Sequence, residues 1–298
     1  MSETRRYPVP SREWFDRTPL LRNILEYAFS EDITPQGLYV HLLANAASHI
    51  RHGILTPLGT EPNLWIGTIG ESGCGFSSTF KASDAVLLNA GTPEMIGTWQ
   101  GFAARMFDEK LDTLAFNLDT GCSTRKLITR YGGNSRKQME AILDGGEIVH
   151  PKYGRKAGTY RVTVRESIYP SEYLWLFSSD TVRSGHTAKF LLADIRWSPY
   201  REDHSGIPKP FVTVPDWKSV PDGALRLPPT ARDVANAYMK GGGVSVERDY
   251  VALRFQVLTA HAALHGRTVP TDDDWDATAE VMRMSRTLFD IGTSACAG

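Results

Sequence analysis

The stretch from Gly70 to Ser78, Gly-Glu-Ser-Gly-Cys-Gly-Phe-Ser-Ser, has the residue types and nearly the spacing of a loop built to hold phosphates. In the pattern G-x-x-x-x-G-K-[ST], backbone N–H groups of the loop and of the following helix point at phosphate oxygens. A lysine adds charge near the outer phosphates, and a hydroxyl ligates magnesium. Gly70, Gly75 and Ser77 supply every fixed position except the lysine, where Phe76 stands. The candidate nucleotide-binding residues are therefore Gly70, Ser72, Gly73, Gly75, Phe76, Ser77 and Ser78. Losing a charged donor costs roughly 1.5–3 kcal/mol of binding and weighs more heavily on a transition state. Lys81 shares a helical face with Ser77 but lies one turn further from the loop, too far to replace the missing cation. The competing reading of the stretch is a glycine-rich turn that holds no nucleotide.

Three other groups of residues have types suited to chemistry. Arg125, Lys126, Arg130, Arg136, Lys137, Lys152, Arg155 and Lys156, continued by Arg161 and Arg165, form the one basic concentration, interleaved with Tyr131, Tyr153 and Tyr160. Such a mixture suits contacts to a nucleic-acid backbone and base stacking, and equally suits a solvated face. His261 and His265 share a helical face without an evident third ligand, which favours packing over a metal. Asp272, Asp273 and Asp274 suit the cap of a helix N-terminus. Ser72 and Ser77 have no neighbouring His and Asp arrangement, so a hydrolase triad is not expected.

The elements needed to position the loop follow in the right order. Asn63 to Ile69 is an apolar run that reads as a buried strand, and Phe80 to Asn89 has helix-forming composition. Before them, Trp14 to Ala28 and Leu38 to Ile50 carry apolar residues at helical spacing. After them, Thr92 to Met106 and Ser123 to Tyr131 read as helices. Thr113 to Leu118, Thr159 to Ile168 and Lys189 to Ile195 read as strands, and the alternation in Tyr160 to Arg165 predicts one exposed face. Six prolines between Trp197 and Pro229 predict an extended connector. Three helices, Thr230 to Lys240, Ser245 to His265 and Thr271 to Leu288, complete the chain. The fold class is α/β: an N-terminal helical segment (1–56), a P-loop-like core (57–200), a proline-rich connector (201–229) and a helical lid (230–298).

Composition sets the outer bounds. The chain has 298 residues, 41% of them hydrophobic, with 33 Lys plus Arg against 34 Asp plus Glu. A near-neutral balance gives no global pull toward nucleic acid, so any such contact is local. No apolar run approaches the roughly 20 residues of a membrane span, and no membrane partner is expected. The N-terminus lacks the apolar segment of a secretory signal, and Cys74, Cys122 and Cys296 cannot all pair within one chain, which together predict a cytoplasmic protein.

With these residues in view, the chain resembles the helicase-like P-loop proteins of actinobacterial phages and plasmids, relatives of AAA+ replication helicases. The resemblance rests on Asn63-Leu-Trp-Ile-Gly-Thr-Ile-Gly-Glu-Ser-Gly-Cys-Gly75, Ser123-Thr-Arg-Lys-Leu127, Tyr160-Arg-Val-Thr-Val-Arg-Glu-Ser-Ile-Tyr-Pro170, Gly185-His-Thr-Ala-Lys-Phe-Leu-Leu192 and, most specifically, the stretch from Leu253 to Trp275. It implies a nucleotide held with magnesium by Ser77 and Asp119, an arginine at position 254 that reaches the nucleotide, and a homo-oligomeric ring acting on DNA. The chain departs from that pattern where the chemistry is done. Phe76 replaces the lysine, Tyr169 replaces a polar amide that orients water, Lys189 replaces an arginine, and Thr120 follows Asp119 where a second carboxylate is usual. A degenerate ATPase with weak ATP and magnesium binding is the function this implies. The alternative is a non-catalytic module that self-assembles or pairs with an active relative.

Overall fold

The computed structural model describes residues 9–88, 94–95, 105, 113–118, 123–126, 141–142, 145–148, 156–196, 209–241 and 246–297. Helices α1 (Arg12–Phe15) and α2 (Pro19–Ser30) start on hydroxyl caps, with Ser11 accepting from the Trp14 N–H and Thr18 from the Leu21 N–H. Pro19 occupies the first position of α2, where a missing N–H costs no helical bond. Helix α3 (Pro35–Ser48) is buried at every residue, which its nearly unbroken run of apolar and small side chains permits.

After the short strand β1 (Ile54–Leu55) come β2 (Trp65–Ile69), the glycine-rich loop and α4 (Phe76–Val86). The helix begins four residues earlier than its composition predicts, because Gly75 takes a left-handed conformation and turns the chain directly into it. Next are β3 (Leu87–Leu88), β4 (Glu94–Met95), β5 (Thr113–Leu118) and β6 (Arg161–Ile168). Helices α5 (Pro170–Leu176) and α6 (Ser179–Arg183) lead to β7 (Phe190–Asp194). The helix expected over 92–106 is replaced at 94–95 by an extended pair, since these residues add to the edge of β5. Beyond them, only position 105 of that segment lies among the described residues.

Strands β4, β5, β6, β2 and β7 form one parallel sheet in that spatial order. The chain leaving β2 therefore runs to the far edge of the sheet, whereas the chain leaving β6 crosses β2 to reach β7. The glycine-rich loop therefore leaves the carboxyl end of a central strand, the end at which open α/β sheets take ligands. Every residue of β2, β6 and β7 is buried, as expected of parallel strands covered on both faces.

The exposed face predicted for 160–165 is not found. Arg161 and Arg165, counted among the basic candidates, are fully buried and turn inward. Arg161 forms an ion pair with Glu61 and donates to the carbonyls of Arg51 and Ile54. The Arg165 Nε donates to Asn117 Oδ1 at 2.7 Å. Its Nη1 lies 2.9 Å from Asn45 Oδ1, 2.8 Å from Ser83 Oγ and 2.7 Å from Asp84 Oδ1, and the guanidinium sits 5.0 Å from the Phe80 ring centre. One side chain thus ties α3, α4, β5 and β6 together. Alternation along a strand signals two environments, and here the second environment is a polar interior rather than water.

The proline-rich segment is stitched to the body where it is described. Strand β8 (Val212–Thr213) pairs with β3 and β9 (Gly223–Ala224) with β1, both parallel. Extended backbone between prolines leaves N–H and C=O groups free for such short pairings. Arg51 holds the same segment through the carbonyls of Trp217 and Val220 and the Asp222 carboxylate.

The C-terminal helices are α7 (Arg232–Lys240), α8 (Val246–Leu264) and α9 (Asp272–Ala297). Helix α8 packs on α3, and α9 lies along β7, where the Ser285 hydroxyl accepts the Leu192 N–H at 2.9 Å and so covers an outward-facing donor of the edge strand. Residues of the N-terminal helices, the sheet, α8 and α9 share one hydrophobic core, and α7 packs through Ala235 in a second, smaller cluster with Phe255, Leu258 and Trp275.

The Arg165 hub and the exposed Arg22–Asp16 pair (side chains 55% and 43% exposed) make a direct comparison. Removing one partner of a buried ion pair costs about 3–5 kcal/mol, whereas an exposed pair contributes about 0–1 kcal/mol. In urea denaturation Arg165→Ala is expected to lower stability by at least about 3 kcal/mol and Arg22→Ala by less than about 1 kcal/mol. Similar losses in the two variants would contradict the hub.

Candidate functional site around the glycine-rich loop

Backbone ladders on both sides hold the loop's first residues. The Gly70 N–H donates to the Ile168 carbonyl at 3.1 Å, and the Ile195 N–H donates to the Ile69 carbonyl at 2.9 Å. The chain then turns tightly, with the Cys74 N–H donating to the Glu71 carbonyl. Gly73 (φ +91°) and Gly75 (φ +88°) occupy left-handed backbone that other residues adopt only at a cost. Thr79 caps the entry from within, since both its N–H and its hydroxyl donate to the Gly75 carbonyl. Ser72, Ser77 and Ser78 are exposed, and no side chain caps the first turn of α4.

Phe76 is buried, at 5% exposure. Its ring folds back over the start of the loop, so that a Cβ placed on Gly70 would stand 2.9 Å from the ring's Cζ. It also meets Tyr169, with ring centroids 4.9 Å apart and planes tilted by 46°. Tyr169 is the residue that leaves β6 and enters α5. Phe76 and Tyr169 therefore form an aromatic pair beside the carboxyl ends of β2 and β6. Such contacts add about 0.5–1.5 kcal/mol beyond the apolar area they bury. A ring where an ammonium is required does not fit magnesium-ATP, because it offers no donor to the outer phosphates.

The remaining candidates are placed as follows. Arg254 is stacked 3.4 Å from the Trp275 ring centre, and its Nη2 donates to the Trp275 carbonyl at 2.9 Å. Burial pulls its pKa down to about 10. Its neighbours Leu253 and Gln256 line a small pocket with Asn63, Trp65, Lys189 and Asp249, at the amino end of β2. The loop is at the carboxyl end of the same strand, so a single chain does not bring Arg254 or Lys189 to it. Lys126 and Lys156 are exposed, and Arg125 donates to the Ser171 carbonyl at 3.0 Å. Asp119, Arg130, Arg136, Lys137, Lys152 and Arg155 lie outside the described residues.

His261 and His265 are packing residues. His261 Nδ1 lies 2.7 Å from the Tyr39 hydroxyl, and its Nε2 lies 3.5 Å from Asp274 Oδ1. Asp274 in turn accepts the Thr271 N–H while its own N–H donates to the Thr271 hydroxyl, a reciprocal cap at the start of α9. Among the described residues no group of three His, Cys, Asp or Glu side chains could hold a metal.

Two acidic residues of the sheet were not singled out from sequence. Asp194 ends β7 and is held by Arg196 through its side chain and backbone N–H. Glu166 is fully buried on β6 and accepts from both the N–H and the hydroxyl of Thr124. It thereby fixes the start of the segment that follows β5 and Asp119. A carboxylate inside a strand of otherwise buried residues was the available signal.

Burial pushes the Glu166 carboxyl up to about 7, against the Thr124 hydrogen bonds that favour the ionised form. The folded pKa exceeds the unfolded one, so the stability Glu166 contributes is fully present below about pH 4.5 and is lost as pH rises through about 7. Glutamine keeps an acceptor and a donor for Thr124 without the charge. The melting temperature of Glu166→Gln minus that of the native chain is expected to grow from pH 5 to pH 8. A constant difference would show that Glu166 does not titrate in this range.

A scan against protein-family models finds no match for this chain, and a search of curated proteins finds none.

Proposed function

We propose that this chain is a helicase-like P-loop protein, related to phage and plasmid DNA replication, whose loop has lost ATP turnover and holds phosphates weakly. The observation that carries the reading is the Phe76–Tyr169 contact, which joins two departures into one change. The order of strand, glycine loop and helix supports the P-loop assignment, as does the position of the loop at the carboxyl end of a central strand of a parallel sheet. The C-terminal helices are the counterpart of the helical lid.

Backbone amides at the start of α4 and the exposed Ser77 hydroxyl are what remains to meet a phosphate or a hydrated magnesium ion. Amides attract phosphates without supplying the full charge that a lysine brings to transfer, and among the described residues none is placed at the loop to replace that cation. Arg254 and Lys189 are arranged on another part of the molecule, where they would serve a ring only across a subunit boundary. Exposed Lys126 and Lys156 are the described candidates for DNA contact.

The same aromatic pair favours a second reading, in which the fold is kept for assembly and binds no nucleotide. In a steady-state assay with magnesium and single-stranded DNA, the native chain is expected to hydrolyse ATP no faster than background. Robust turnover abolished by Ser77→Ala would sink both readings.

A further inference from the structure

Most buried charges in this molecule face an opposite charge. Arg161 is matched by Glu61, Arg165 by Asp84, Asp194 by Arg196 and Asp274 by Arg267. Glu166 and Glu172, 3% and 8% exposed, have N–H and hydroxyl donors instead of a cation among the described residues. Glu166 Oε1 accepts the Thr124 N–H at 2.9 Å and its Oε2 accepts the Thr124 hydroxyl, while Glu172 Oε2 accepts the Ser171 hydroxyl at 2.7 Å. Burial opposes ionisation of Glu166 and the charge of Glu172 adds to that opposition, whereas the Thr124 donors favour the ionised form. The flanking strands present Gly67 and Leu118 at its register position and bring no charge. Arg125 directs its Nη1 to the Ser171 carbonyl, and His186 packs among Trp65, Trp175 and Phe190. A buried carboxyl without a counter-ion is costly to ionise, and the cost falls if the carboxyl reaches water.

What Thr124 brings onto Glu166 is a short stretch of chain at 123–126. Ser123 and Thr124 are buried, Arg125 is half-buried and Lys126 is exposed. Apart from the two bonds to Glu166, the stretch is held by Arg125 on the Ser171 carbonyl at 3.0 Å and by a turn in which the Lys126 N–H donates to the Ser123 hydroxyl at 3.4 Å. Local opening here breaks few bonds, far fewer than unfolding the sheet beneath it.

We propose that Glu166 and Thr124 form a proton-operated latch on the 123–126 stretch, closed while Glu166 holds its proton and opening more often as that proton is lost. The latch stands on this geometry and not on what the stretch binds, and Arg125 and Lys126 move with it under either reading of the loop. In the closed form Glu166 keeps its proton up to about pH 7, and in the open, hydrated form only up to the ordinary 4.5. Closure is therefore fully favoured below pH 4.5 and is progressively lost as pH rises to about 7. A difference of one bound proton changes the opening equilibrium about tenfold per pH unit within that window.

Hydrogen exchange of the full chain at pH 5, 6 and 7, with rates corrected for their intrinsic dependence on pH, tests the latch. The Thr124 and Lys126 amides are expected to be less protected than the amides of α3 at each pH, and to lose protection about tenfold per pH unit. In Glu166→Gln, whose side chain still accepts from Thr124, their protection should be the same at all three. Constant protection in the native chain, an undiminished pH dependence in Glu166→Gln, or protection equal to that of α3, which would mean that the stretch opens only when the whole chain unfolds, overturns the latch. If the glutamine variant does not fold, carbon-13 resonances of the glutamate carboxyls in the native chain decide. One carboxyl titrating near pH 7, with the Thr124 amide shift following the same midpoint, is expected; absence of that pair of titrations overturns the latch.

Discussion

The packing of Phe76 against Tyr169 is the interaction on which the character of this site depends. Phe76 is buried and Tyr169 partly buried where the two rings meet. An amide at position 169 would set a polar group against the Phe76 ring in place of the aromatic contact. A change at either position therefore alters the surroundings of the other. Gly70 completes the arrangement, since any side chain there would meet the Phe76 ring.

The scaffold beneath the pair is built for rigidity through polar contacts as much as apolar ones. Arg165 fixes α4 relative to α3 and β5, and Arg161 fixes the amino end of β6 against the segments around Glu61 and Arg51. Burial lowers the pKa of both arginines, while their carboxylate partners oppose that shift. Such groups hold one arrangement because any other would strand a charge in the interior. The loop is consequently presented at a defined place whether or not it meets a nucleotide.

Much of the architecture could be read from the sequence, because apolar periodicity and glycine placement are local signals. The strand at 65–69, the loop, the strands at 113–118 and 190–194 and the three C-terminal helices all follow from them. What could not be read depended on distant partners. The arginines of β6 look like solvent-facing residues until Asn45, Asp84, Asn117 and Glu61 are placed around them. The contact between positions 76 and 169 spans a crossover in the sheet, and nothing in either local stretch announces it. Arg254 shows the converse: its resemblance to a nucleotide-reaching arginine is clear in sequence, yet its guanidinium is engaged by Trp275, only 21 residues away.

If the aromatic pair has replaced the phosphate-binding cation, restoring that cation should matter more than anything else done to the loop. The direct measurement is the binding of a fluorescent ATP analogue with magnesium to the native chain and to Phe76→Lys paired with Tyr169→Asn. Weak or absent binding by the native chain and at least about tenfold tighter binding by the double variant, the gain of one charged hydrogen bond, is the expected result. Equal and tight binding by both would mean that the loop works without its lysine, and would contradict the central role given to the Phe76–Tyr169 contact.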